Sequence, residues 1–169
     1  MSGESISDEE LMTLFEAARW APSSYNGQPW RFVYAKRGTP QWDALFGLMV
    51  EFNQVWTKNA AVLVVMVSRN TFEHNETPAR THSFDAGSAW MSLALQGHMN
   101  GLVVHGMEGF DYAKADGVLG IPEGYTVEAM CAIGRPGKAS DLPSEIAKNE
   151  VPSSRKHVKD FVFNGSWRK

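Results

Sequence analysis

Residues 60–68, AAVLVVMVS, constrain this chain more than any other segment. They carry no charge, and four of the nine are valine. Successive side chains of a strand point to opposite faces, so a strand can be apolar at every position only if both faces are covered. The sheet that holds this strand must therefore lie between other layers, and the flanking sequence supplies them. Ser7 and Glu10 have capping-box spacing, and Leu11, Leu14, Phe15 and Ala18 follow at helical intervals, which predicts a helix over 8–20. Residues 31–36 read as a strand. Pro40 sits where a first helical turn tolerates proline, with Leu45, Leu48, Met49 and Phe52 in a second helix. A polar loop over 69–82 leads to a long helix at 85–100, with Gly101 as its C-cap. A strand at 102–105, a helix at 112–119 and a strand at 126–133 complete the pattern. The expected fold class is α/β (α+β), a single domain over 1–169 with a mixed sheet sandwiched by helices.

Two segments ask for more cover than one small chain supplies. The 85–100 helix is apolar on most sides (Trp90, Met91, Leu93, Ala94, Leu95, Met99), and a helix of that kind belongs inside something, here a second subunit. The irregular tail over 138–169, with one turn of helix near 144–148, keeps Phe161, Val162, Phe163 and Trp167. A free tail would be more polar, so it is expected to pack on the partner.

Composition excludes several classes. A net charge of −3 argues against a protein that tracks nucleic-acid phosphates. The single Cys131 allows no internal disulfide and lies in the apolar run TVEAMCAIG, as a buried thiol would. The start, MSGESISDEE, lacks the basic and apolar regions of a signal peptide, and no apolar run is long enough to span a bilayer. A cytoplasmic location is expected, with no membrane partner. His74, His82, His98, His105 and His157 show no metal-ligand spacing. G-x-G-x-x-G is absent, and Ser23 and Ser24 lack the context of a hydrolase nucleophile.

Four stretches carry possible chemistry. ARWAPSSYNGQPWRF (18–32) places Pro22, Ser23, Ser24 and Asn26 in a short loop stiffened by two prolines. Small polar residues there can bond a ligand, or simply make a helix-to-strand turn. Gly106-Met107-Glu108-Gly109-Phe110-Asp111 joins a strand to a helix that Asp111 can cap. Gly109 permits close backbone approach to a flat ligand, or only a tight turn. Asn53 offers a donor and an acceptor from one amide, or else caps a helix C-terminus. Pro152-Ser153-Ser154-Arg155-Lys156 reads by itself as a solvated basic turn, although its guanidinium has the fork geometry to pair with an anion.

These segments, in this order, resemble the nitroreductase-like FMN oxidoreductases, through APS-x-x-N-x-QPW, the DAGSAW helix, EGFD, IGRP and S-x-R-K. The likeness spans nearly the whole chain and is greatest to the branch related to thermophilic desulfurisation flavin reductases. It implies an intertwined homodimer that binds FMN and uses NAD(P)H as co-substrate. Nitro compounds, quinones or flavins would be reduced by ping-pong hydride transfer, with no obligatory catalytic side chain. By position, the resemblance implies that Met107, Glu108 and Gly109 lie at the flavin ring, with a backbone N–H directed at flavin N5. Asn53 would meet the pyrimidine edge, Arg155 the phosphate, and Pro22, Ser23, Ser24 and Asn26 the FMN held mainly by the other subunit. Relatives carry an R-x-S-x-R arm before the first helix that this chain does not show, leaving Arg19 and Lys58 as additional phosphate candidates. The alternatives are a flavin reductase that supplies reduced flavin to a monooxygenase, and a degenerate, non-catalytic flavin-binding protein.

Overall fold

A computed structural model describes residues 1–167 and shows two compact units, Met1–Lys138 and Ala139–Lys169. The first contains α1 (Asp8–Arg19), β1 (Trp30–Lys36), α2 (Trp42–Phe46), α3 (Glu51–Thr57), β2 (Val62–Arg69), α4 (His82–Met99), β3 (Val103–Met107), α5 (Tyr112–Leu119) and β4 (Tyr125–Gly134). In the second, α6 (Ser144–Ala147) and a short helical turn at Val158–Asp160 interrupt irregular backbone. Val158, Phe161, Val162 and Trp167 are exposed.

The strands form one sheet in the order β1-β2-β4-β3. Every pairing is antiparallel, so the sheet expected to be mixed is antiparallel throughout the described residues. The connections from β1 to β2 and from β3 to β4 reverse the chain, whereas the one through α4 returns β3 in the direction of β2 and one strand further out. β4 then enters between them, leaving β3 at the edge. β2 is buried at all but its last position, as its uninterrupted apolar sequence requires. One of its faces, with Val62, Val64 and Met66, packs with Leu11, Leu14, Ala89 and Leu93 of α1 and α4. The other, with Leu63, Val65 and Val67, packs with Trp42, Leu45, Phe110 and Ala115. Cys131 is fully buried, and burial pushes its thiol up to about 12, partly offset by the Trp90 side chain.

Local signals explain the helix ends. Ser7 and Glu10 form the reciprocal capping box, and the Glu10 carboxylate also takes the Arg135 guanidinium at 2.6 Å. These bonds hold Glu10 below the usual carboxylate range. Asp111 caps α5 by accepting the Lys114 N–H at 3.0 Å. Gly101 follows α4 at φ 73°, where a side chain would be strained.

The single helix expected after Pro40 is two. The chain breaks after α2 because Leu48–Val50 pairs with the segment beyond β3. The Val50 N–H bonds the Gly109 carbonyl at 3.0 Å, and the Asp111 N–H bonds the Leu48 carbonyl at 2.9 Å. Asn53 consequently lies inside α3, so its reading as a helix C-cap is corrected.

Candidate functional site

Asn53 is only 8% exposed, and its amide is occupied by the protein on both sides. Its Nδ2 donates to the Gly109 carbonyl at 2.9 Å, and its Oδ1 accepts from the Trp56 indole at 3.1 Å. Two residues singled out 56 positions apart are thus joined directly. A Cβ added at Gly109 would stand 2.6 Å from Asn53 Nδ2, so only glycine fits this turn. The Gly109 carbonyl and the Phe110 and Asp111 N–H groups all have partners. The Glu108 and Gly109 N–H groups have no protein acceptor among the described residues. The turn therefore offers fixed backbone donors to a ligand atom.

Met107 and Glu108 line a cavity of about 590 Å³, within the range of small-molecule sites. Met66, Ala86, Trp90 and Ala129 give it apolar surface, with Ser83, Tyr112 and Glu128 as further polar lining. Burial, followed by the charges of Glu108 and Glu128, holds the Tyr112 phenol above its ordinary range. Ser83, Tyr112 and Glu128 escaped the sequence reading, since no motif marks them.

The Pro22–Asn26 loop lies elsewhere in this unit. Tyr25, Asn26 and Gln28 all have φ between 44° and 52°, a left-handed conformation costly for side chains other than glycine. The Ser23 hydroxyl takes the Gln28 N–H at 3.0 Å, and the Ser24 N–H bonds Asp85 Oδ2 at 3.0 Å. Asp85, 6% exposed and also bonded by Thr81, fastens the loop to α4. Sequence alone offered Asp85 only as the start of a helix. Pro22, Tyr25 and Asn26 are exposed, and Tyr25, Asn26 and Gln28 line a separate hollow of about 390 Å³ with Arg31 and His74. The structure thus brings Asn53, Met107, Glu108 and Gly109 together and leaves Pro22, Ser23, Ser24 and Asn26 outside that cluster.

Among the expected phosphate ligands, Arg155 belongs to the second unit. Its exposed guanidinium bonds the Ser153 and Ser154 carbonyls at 3.2 and 3.1 Å, and the Ser153 hydroxyl at 2.5 Å. Arg19 is engaged by Glu16 at 2.6 Å and lies 4.9 Å over the Trp20 ring, while Lys58 is exposed at the end of α3. No group of His, Cys, Asp and Glu among the described residues could hold a metal ion. No helix among them is long and apolar enough to cross a membrane.

The architecture is that of the nitroreductase fold. A nitroreductase-family protein of Streptococcus pneumoniae superimposes with a TM-score of 0.74 at 20% identity, over 95% of this chain and 90% of the other. The family model for the nitroreductase family matches residues 2–135, and the chain belongs to that family. A solved structure described as an oxidoreductase containing FMN is 44% identical, with a TM-score of 0.94 over 99% of this chain and 86% of the other. A Ralstonia nicotianae protein named as an NADH dehydrogenase/NAD(P)H nitroreductase is 30% identical over 76% of this chain and 75% of its own length.

Proposed function

We propose that the protein is an FMN-dependent NAD(P)H oxidoreductase that works as a homodimer and reduces nitro compounds, quinones or flavins. The observation that carries this reading is the 44% identity, along almost the whole chain, to an oxidoreductase containing FMN. The two unpaired N–H groups of the Glu108–Gly109 turn, braced from behind by Asn53, support it. When bound, FMN supplies reversible hydride acceptance at its N5 atom.

The residues of this chain bind and orient. Glu108 and Gly109 present a backbone N–H toward the ring, and Met107 gives it an apolar support. Asn53 holds the turn in register and turns its remaining amide capacity to the pyrimidine edge. Arg155 pairs with the phosphate, exchanging its bonds to Ser153 and Ser154 for a charged partner. Pro22, Ser23, Ser24 and Asn26 approach the FMN of the other subunit, the strained loop exposing its backbone for that contact. The dimer is supported by the outer side of α4, where Phe84, Met91, Leu95 and Met99 are 77%, 48%, 51% and 79% exposed. The tail unit packs on the partner through its exposed apolar residues. NAD(P)H and the acceptor use the same opening in turn, which predicts ping-pong kinetics.

An absorption spectrum of the purified protein with added FMN, before and after anaerobic NAD(P)H, tests this. Retention of FMN through gel filtration and bleaching of its visible band are expected. A protein that neither takes up FMN nor oxidises NAD(P)H overturns the reading, and bleaching with FMN that leaves freely favours the flavin-reductase alternative.

A further inference from the structure

The β2–β4 ladder contains one irregularity. Met66 pairs with Ala129 and Val67 with Val127, which leaves Glu128 as the extra residue of a β-bulge. Strict alternation from Met130 and Ala132 would turn Glu128 into the apolar layer under α2 and α5. The bulge places it instead on the α4 side. There its Oε1 accepts from the hydroxyls of buried Ser68 and of Ser83, the latter at 2.7 Å, with His82 Nδ1 3.5 Å away. All these partners converge on Oε1, leaving Oε2 without a protein donor among the described residues. Bulges recur beside active sites because they re-aim a side chain. Here the re-aimed carboxylate lines the cavity of about 590 Å³ together with Glu108, the Tyr112 phenol and the Trp90 ring. No Lys or Arg belongs to that lining among the described residues.

We propose that Glu128 makes this cavity selective for the charge of the electron acceptor. It admits flat ring compounds that are cationic, or neutral with an N–H or O–H donor for Oε2, and turns away rings that carry a carboxylate. The apolar surface of Met66, Ala86 and Trp90 accommodates the ring, and the two carboxylates set the sign of the potential over it. A carboxylate brought beside Glu108 and Glu128 meets like charge with no protein cation in the lining to offset it. This selectivity rests on the functional reading above, in which the cavity adjoins the flavin ring.

The test uses 4-nitrobenzylamine, 4-nitrobenzyl alcohol and 4-nitrobenzoate, which differ mainly in charge. Their dissociation constants are measured by equilibrium dialysis without NAD(P)H, in FMN-loaded and in flavin-free protein, and their kcat/KM in the loaded enzyme. Dialysis needs neither turnover nor cofactor, so a protein that takes up no FMN, which defeats the functional reading, still tests the cavity. The amine should bind at least about tenfold more tightly than the benzoate, with the alcohol nearer the amine. Glu128→Gln, which keeps an acceptor for Ser68 and Ser83, should lower the amine-to-benzoate preference about fivefold or more, seen as a rise in KM for the amine. Raising salt from 0.05 to 0.5 M should narrow the wild-type preference by a smaller factor, because the groups are partly shielded from solvent. The wild-type measurement stands even if the variant fails to fold. Equal affinity for amine and benzoate within twofold overturns the proposal, as does a preference that Glu128→Gln leaves unchanged.

Discussion

Asn53 shows how one side chain ties distant sequence into a site. Its amide clasps the Gly109 carbonyl and the Trp56 indole in a position almost closed to water. Asn53→Ala leaves the half-buried Trp56 indole N–H without its acceptor and the Gly109 carbonyl without one of its donors, a loss of about 1–2 kcal/mol. The denaturant midpoint should fall accordingly, and FMN affinity, measured by fluorescence quenching, should drop at least about tenfold as the turn loosens. Arg155 is the opposite case, exposed and, among the described residues, bonded to its neighbours Ser153 and Ser154. Arg155→Ala should leave the denaturant midpoint within about 0.5 kcal/mol of wild type, as surface changes do, while weakening FMN retention on gel filtration. Unchanged flavin content in that variant would remove Arg155 from the phosphate site.

At the scale of elements, α4 is the member with two loyalties. Its inner side, Ala86, Ala89, Leu93 and Gly97, packs against α1 and the sheet. Gly97 lies so close to β3 that a Cβ would fall 2.4 Å from Val104 Cγ2. Gly97→Ala should therefore cost about 1–3 kcal/mol of stability through overpacking, read by denaturant unfolding. Leu95→Glu changes the outer side instead. It should leave the circular dichroism spectrum intact and convert a dimer to a monomer in sedimentation velocity, because a charge in an apolar interface is left unpaired. A variant that stays dimeric would show that α4 is not the contact.

For the molecule as a whole, the two covered faces of the sheet make its centre chemically silent. Cys131, fully buried, keeps its proton until about pH 12, against an ordinary value of 9.0. The native protein should not react with a thiol reagent at pH 8, whereas one thiol should appear on unfolding in guanidinium. The sign of the pH effect follows from proton binding. Between pH 9 and 12 the unfolded chain has lost the thiol proton and the native chain has not, so this thiol lowers native stability progressively over that window and has no effect below it. A midpoint that rose with pH across that interval, in comparison with Cys131→Ala, would contradict the burial.

The elements themselves were legible because their signals are local. The capping box at Ser7 and Glu10, the apolar run of β2, the Asp111 cap and the glycine after α4 each act within a few residues. Asn53, Glu108 and Gly109 were linked through the resemblance in motif order, because their residue types alone also fit a helix cap and a tight turn. What no local signal reveals is pairing across distance. The break between α2 and α3 exists because Leu48 and Val50 bond the backbone of Gly109 and Asp111, and it is this break that brings Asn53 onto the turn. The antiparallel pairing of neighbouring strands, the seat of Asp85 under the Ser24 loop and the bulge that swings Glu128 from one face of the sheet to the other were likewise decided by tertiary structure. Sequence determines which faces must be buried, because hydrophobic spacing is a property of the chain. Register, and with it the direction of a single carboxylate, is a property of two strands meeting.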